Sequence, residues 1–320
     1  MLVTSVSVRV PAKINLQLAV GPLRPDGYHD LVTLFHALSL FDEVTVTSAE
    51  IDSVRVTGEG AALVPEDGDN LALRAVRALR KALAQRSGAT GGGAGSGALA
   101  SSGVAVTIDK RIPVAGGMAG GSADAAAAIV ACNELWDAGL SQQELCAVGG
   151  EVGSDVAFAV VGGTAIGRGR GEQLTSAESA ASATYHWVVA LADGHLPTPR
   201  VYGELDRQRG DREVAEPELS AELMAALSAG DLVRLGAALS NDLQEPALTL
   251  FPALRKTLDA GREAGALGAL VSGSGPTCFF LAGSAAEATT LAVDLSSAGV
   301  CRSVTTATGP VPGATVVEMS

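Results

Sequence analysis

Between Asp109 and Trp136 the chain reads DKRIPVAGGMAGGSADAAAAIVACNELW: the end of a strand, a proline, two glycine pairs, and then small residues suited to a closely packed helix. Gly116, Gly117, Gly120 and Gly121 can turn consecutive backbone N–H groups inward on one point. The free amides and positive dipole end of a helix starting near Ser122 face the same point. This is the chemistry of an anion site, and a phosphate fits it without any basic side chain. Two better-known glycine motifs are excluded. A P-loop needs a lysine after its last glycine, where this chain has Ser122, and the dinucleotide fingerprint belongs to the first strand-to-helix turn of its fold, whereas this run lies more than a hundred residues in. A second glycine-rich stretch, VSGSGPTCFFL from Val271, lacks the frame of a hydrolase elbow because Ser272 stands where the first glycine should be.

The elements that must hold these loops are readable from periodicity. Val6, Val8 and Val10, then Ile14, Leu16 and Leu18, alternate as two short strands joined through Pro11. A loop, GPLRPDGYHD, carries turn residues at Pro25, Asp26 and Gly27, and leaves Tyr28 and His29 at its exit. Strands follow at LVTLFHALSL, EVTVT and DSVRVT, and an amphipathic helix is expected from Asn70 to Arg86. The stretch from Ser87 to Gly103 has almost nothing to bury and reads as a flexible surface loop rather than a phosphate cradle. Beyond it, after the strand VAVTI and the glycine segment, helices around 218–235, 251–264 and 285–297 mix with strands WVVALA, LGALVS, TCFFLA and SVTTA. Mixing without a strict βαβ repeat favours an α+β protein of two domains, 1–170 and 171–320, divided within the Gly-, Ser- and Ala-rich stretch 163–182.

A hydrophobic fraction of 47% with 18% charged residues over 320 positions describes a globular chain. The net charge of −13 argues against nucleic acid or an anionic membrane as partner, so a polyanionic substrate would need local cations. No signal peptide or membrane-spanning run is expected, which points to the cytoplasm. Cys132, Cys146, Cys278 and Cys301 share no metal-binding spacing and read as reduced thiols. Of 22 basic residues only Lys13, Lys81, Lys110 and Lys256 are lysine, so a lysine here is a candidate for work a guanidinium cannot do.

PxxGGxxGGSxDAAA resembles the phosphate-loop signature of the GHMP kinases, the family named for galactokinase, homoserine kinase, mevalonate kinase and phosphomevalonate kinase. PAKINL resembles that family's first motif and VSGSGPTCFFL its third, in the family's order along the whole chain. The resemblance implies a two-domain GHMP kinase fold, with an N-terminal domain like the second domain of ribosomal protein S5 and a ferredoxin-like C-terminal domain. Four segments, PAKINL, RPDGYHDL, GSDVAF and PTPRVY, resemble the branch that phosphorylates a cytidine-diphosphate-linked sugar alcohol in non-mevalonate isoprenoid biosynthesis; DGYH discriminates it from mevalonate and homoserine kinases. A protein that binds nucleotide without turnover and a decarboxylase of the same superfamily are the rival readings.

The resemblance also implies roles. Asp155, in a short polar turn before an apolar run, would be the base that takes the substrate hydroxyl's proton, and Lys13 beside it would ease the developing alkoxide. Asn15, Tyr28, His29, Pro199 and Tyr202 would bind the substrate, with Tyr28 and Tyr202 clamping the cytosine ring and His29 reading its edge. ATP would be held by Pro113, Gly116, Gly117, Met118, Ala119, Gly120, Gly121 and Ser122, with Asn70, Leu71 and Lys110 at the adenine; Asn70 would equally cap the helix that follows it. Mg²⁺ would accompany the nucleotide, with Ser122 a candidate ligand and Asp124 either a second or merely a favourable charge at its helix end. Two departures from the family pattern are Ala157, where a proline is usual after the Val following the base, and the glycine-rich insertion before Val104.

Overall fold

A computed structural model of the chain describes residues 4–90, 102–114, 116–177 and 183–320. The first half runs β1 (Ser5–Leu23), β2 (His29–Ala49), β3 (Ser53–Gly58), α1 (Leu71–Thr90), β4 (Gly103–Lys110), α2 (Gly120–Leu135), α3 (Gln142–Val152), α4 (Ser154–Val161), β5 (Thr164–Gly169) and β6 (Gln173–Ser176). The second runs β7 (Tyr185–Leu191), α5 (Thr198–Arg209), α6 (Ala221–Ala229), α7 (Leu232–Ala238), β8 (Ser240–Asn241), α8 (Gln244–Leu250), α9 (Ala253–Glu263), β9 (Gly268–Val271), β10 (Cys278–Ala282), α10 (Ala285–Ala298), β11 (Ser303–Gly309) and β12 (Thr315–Met319).

Where two strands are expected around Pro11 there is one. Proline brings no N–H to a ladder, and the pairing of β1 with β2 accordingly shifts register between Pro11 and Ala12, a bulge rather than a break. Similarly, Phe41 and Asp42 continue pairing, with Pro11 and Val10, so the two apolar stretches beside them form the single strand β2. Each half of β2 then has its own partner: residues 31–36 pair with β5 and residues 43–49 with β4. The first sheet runs β12-β1-β2-β4-β3, with β8 on β1 and β6 outside β5. β12 comes from the far end of the chain, and β6 too lies beyond residue 170. Helix α1 extends four residues past Arg86 and β4 takes in Gly103; residues 91–101 of the glycine-rich insertion lie outside the described residues.

The second sheet is antiparallel in the order β11-β7-β10-β9, a ferredoxin-like arrangement with α10 as one crossover and the α5–α9 series filling the other. Its strands contribute Trp187 and Phe279 to the same apolar core that takes Ile14 and Leu34 from the first sheet. Helix α2 is buried at every position from Ala123 to Asn133, and its alanines let it approach both α1 and the first sheet closely. None of the described helices is long and apolar enough to cross a membrane.

One buried polar group between the sheets gives a measurable consequence. His36 on β2 is wholly buried, held by Thr164 Oγ1 2.9 Å from its Nδ1, and meets the rings of Tyr185 and Trp187 edge-on at 5.6 Å. Burial lowers its pKa from 6.5 to about 3. Between those values the unfolded chain binds a proton that the folded chain refuses, so stability is lost as pH falls below 6.5. Wild type should therefore lose about 2 kcal/mol relative to His36→Gln between pH 7 and pH 5, measured by urea midpoints. Parallel losses in the two proteins would show that another group titrates.

Candidate active site

The glycine segment closes against the second half of the chain. Gly117 has φ +75°, and a Cβ there would lie 2.2 Å from the Ser272 carbonyl oxygen. The Ser272 hydroxyl donates to the Gly117 carbonyl at 3.0 Å. Ala119 caps α2 in the left-handed conformation and supplies no side-chain hydrogen bond, so the helix amides are left open toward a cavity lined by Gly116, Gly117, Ala119, Gly120, Gly121 and Ser122. The helix starts two residues earlier than its sequence suggests. Gly117→Ala should raise the KM for ATP by about tenfold to a hundredfold, because added bulk against a backbone carbonyl must displace the loop by an ångström or so. An unchanged KM would show that the loop's position does not govern nucleotide binding.

The same cavity, about 1090 Å³, takes Lys13 and Asn15 from β1 and Asp155 from α4. Lys13 Nζ lies 3.7 Å from Asp155 Oδ2 and donates to Asn15 Oδ1 at 2.9 Å. Asn15 Nδ2 in turn donates to Thr33 Oγ1 at 2.7 Å, and Thr33 Oγ1 to the Gln17 carbonyl at 2.6 Å, so the ammonium is aimed by a chain of bonds within β1 and β2. The Lys13 backbone N–H donates to the Met118 carbonyl at 3.2 Å, tying this pair to the glycine loop. Asp155 does not sit in an open turn. It is the second residue of α4, because the apolar run behind it is helical and buries Val156 to Val160. Its side chain retains 28% exposure against 9% for Lys13, so the carboxylate faces the cavity while the ammonium lies behind it.

Tyr28, His29, Pro199 and Tyr202 line the same cavity. Tyr202 stacks on His29, with ring centres 5.4 Å apart and planes at 26°, while the Arg170 guanidinium sits 5.0 Å over the Tyr28 ring. His29 is held on one side, where Nδ1 donates to the Gly21 carbonyl at 3.0 Å; on the other, Nε2 is buried without a hydrogen bond and faces Asp206 Oδ1 at 3.3 Å. Nδ1 is therefore not free to read a base. Arg170 and Asp206 were not singled out from the sequence. Asp206 could have been, since Pro199, Tyr202 and Asp206 follow the i, i+3, i+7 spacing of one face of α5.

Asn70, Leu71 and Lys110 line a smaller adjoining hollow of about 190 Å³. Asn70 Oδ1 accepts the Ala72 N–H at 2.9 Å and so does cap α1. Lys110 lines it with its ammonium already engaged: the buried Nζ is bonded to Asp42 and, at 2.8 Å, to Asp124. Burial works against the Lys110 charge, but the two carboxylates outweigh it and raise its pKa. Burial, with Asp42 adjacent, pushes the Asp124 carboxyl up. Asp124 thus belongs to an interior ion cluster through Oδ2, while its Oδ1 is buried without a hydrogen-bond partner and the residue lines the smaller hollow. Pro113 and Met118 line neither hollow; Met118 is a core residue that contributes its carbonyl.

Two family models match, the N-terminal domain of GHMP kinases over residues 70–163 and their C-terminal domain over 223–301. The chain belongs to the GHMP kinases. Among the relatives of this GHMP kinase are 4-diphosphocytidyl-2-C-methyl-D-erythritol kinases of Mycolicibacterium smegmatis, 52% identical over 98% of this chain and 92% of that one, and of Streptomyces avermitilis, 54% identical over 98% and 100%. A crystal structure of 4-(cytidine 5′-diphospho)-2C-methyl-D-erythritol kinase superposes with a TM-score of 0.72 at 30% identity, covering 94% of this chain and 98% of that one. A homoserine kinase from Cytophaga hutchinsonii shares the fold at a TM-score of 0.71 and 20% identity, covering 98% and 97%.

Proposed function

We propose that this GHMP kinase transfers the γ-phosphoryl group of ATP to the 2-hydroxyl of 4-diphosphocytidyl-2-C-methyl-D-erythritol, giving the 2-phosphate and ADP for non-mevalonate isoprenoid synthesis. The observation that carries the reading is that one cavity joins the open amides of α2, the Lys13–Asp155 pair and an aromatic end made by Tyr28, His29 and Tyr202. A nucleotide's phosphates fit the first, a reacting hydroxyl the second and a pyrimidine the third. Asp155 takes the hydroxyl proton as the bond to phosphorus forms, and Lys13 neutralises charge on the developing alkoxide. Asn15 holds Lys13 in place. The rest of the rate comes from alignment of the two substrates and exclusion of water.

Mg²⁺ would be carried in mainly by the nucleotide. No group of three acidic, His or Cys side chains suited to a metal occurs among the described residues, which fits an ion that takes most of its ligands from phosphates and water. Ser122, on the cavity wall, would be the protein's contribution, and the ion would offset phosphate charge.

The test is ATP consumption with the cytidylyl substrate, mevalonate and homoserine offered separately. Turnover is expected with the first alone, and Tyr28→Ala should raise its KM about 5- to 150-fold while leaving the KM for ATP nearly unchanged. Preferential turnover of mevalonate or homoserine would reject the assignment; equal weakening of both substrates by Tyr28→Ala would reject the aromatic site for cytosine.

A further inference from the structure

We propose that Arg170 is the cation that receives the diphosphate of the cytidylyl substrate, an assignment that rests on the function proposed above. The cavity presents Glu151, Asp155 and Asp206 to its contents, in a chain of net charge −13. A doubly charged diphosphate enters such a field only if a positive group meets it. Two permanent cations line the cavity, Lys13 and Arg170. Lys13 is engaged with Asn15 and Asp155. The Arg170 guanidinium has neither an ion pair nor a hydrogen bond to any described residue; its one contact is the face of Tyr28.

Its position suits the linker between the two ends of the substrate. Arg170 stands in the turn from β5 to β6, between Gly169 at φ +71° and Gly171 at φ +107°, and its own N–H is bonded to Glu172 Oε2 at 2.7 Å, so the turn is fixed. The guanidinium lies over Tyr28 at the aromatic end. Next to it in the turn, a Cβ on Gly171 would lie 3.3 Å from the Phe35 ring and 3.9 Å from the Cβ of Ser154, the residue before Asp155. A molecule with its base at Tyr28 and its hydroxyl at Asp155 occupies the cavity that Arg170 also lines, and the diphosphate is the anionic part joining those two ends. The planar fork of arginine can bind two phosphate oxygens at once, and stacking on Tyr28 orients it before the substrate arrives. The phosphates of ATP have the amides of α2 instead and do not need it.

The experiment is inhibition and turnover with Arg170→Gln and Arg170→Lys. With Arg170→Gln the KM for the cytidylyl substrate should rise about tenfold to a hundredfold, as expected for losing hydrogen bonds to a charged group, with the KM for ATP and the melting temperature unchanged. Cytidine 5′-diphosphate should weaken as a competitive inhibitor by a similar factor, cytidine by less than twofold, and Arg170→Lys should recover part of the loss. If cytidine and cytidine diphosphate weaken equally, Arg170 only braces Tyr28 and the assignment is overturned; if neither weakens, it is likewise overturned. Wild-type protein that binds neither compound would overturn the proposed function and this assignment together.

Discussion

Asp155→Asn should lower kcat for phosphoryl transfer by about 10² to 10⁴ while the KM for ATP stays close to that of wild type. Asparagine keeps the size and the place of the carboxylate at the start of α4 but cannot accept the hydroxyl proton. Lys13 keeps its bond to Asn15 at 2.9 Å, so the loss is of the base and not of the architecture around it. Stability should change little, because the Lys13–Asp155 contact is 3.7 Å long with the carboxylate partly in solvent, and such a pair contributes at most about 1 kcal/mol. Single-turnover measurement with saturating ATP and cytidylyl substrate separates chemistry from release. A variant that retained more than about a tenth of wild-type turnover would assign the proton to another group.

Lys110→Met should destabilise the protein by about 3 to 5 kcal/mol, seen as a drop of roughly 10 °C in melting temperature. Methionine matches the stem but leaves Asp42 and Asp124 facing each other in the interior with no cation between them. Neither carboxylate can turn to water, since both are essentially inaccessible. The other oxygen of Asp42 accepts the N–H groups of Arg111 and Ile112 at 2.6 and 2.8 Å and so anchors the segment that leads into the glycine loop. The Lys110→Met loss should therefore appear in nucleotide binding as well as in melting. Adding Asp124→Asn should recover part of the stability, because an amide can donate a hydrogen bond to the Asp42 carboxylate that has lost its cation. A melting temperature within a degree or two of wild type would mean that the cluster is no ionic clamp.

What was legible in the sequence were features whose cause is local. The glycine pairs, the small-residue helix behind them and the alternation in β1 and β2 each follow from neighbours a few residues away. The pairing of Lys13 with Asp155 was reached through motif resemblance, since nothing in the spacing of those two residues brings β1 beside α4. Pro11 misled because its missing N–H was read as a strand end, whereas a register shift absorbs it. Lys110 shows a different limit. Its partners are 68 and 14 residues away, and only tertiary packing reveals that its charge is taken up by the interior. Tyr202 was placed at the substrate site, but not its stacking on His29, which required α5 to meet the turn before β2. Arg170 was hidden for a further reason: it falls in the Gly-, Ser- and Ala-rich stretch 163–182, which reads as the divide between two domains.

The position of β12 bears on how the protein is made. Its residues pair with Val6 to Arg9 of β1, and the backbone of Ser320 closes onto Thr4 and Ser5. On the ribosome β1 emerges long before this partner. Throughout synthesis the outer backbone groups of β1 therefore wait unpaired beside Val6 and Val8, an open sheet edge of the kind that recruits stray strands. All four strands of the ferredoxin-like layer precede β12 in the chain, so a chaperone that covers the open edge of β1 until β12 arrives would shield it for most of that interval.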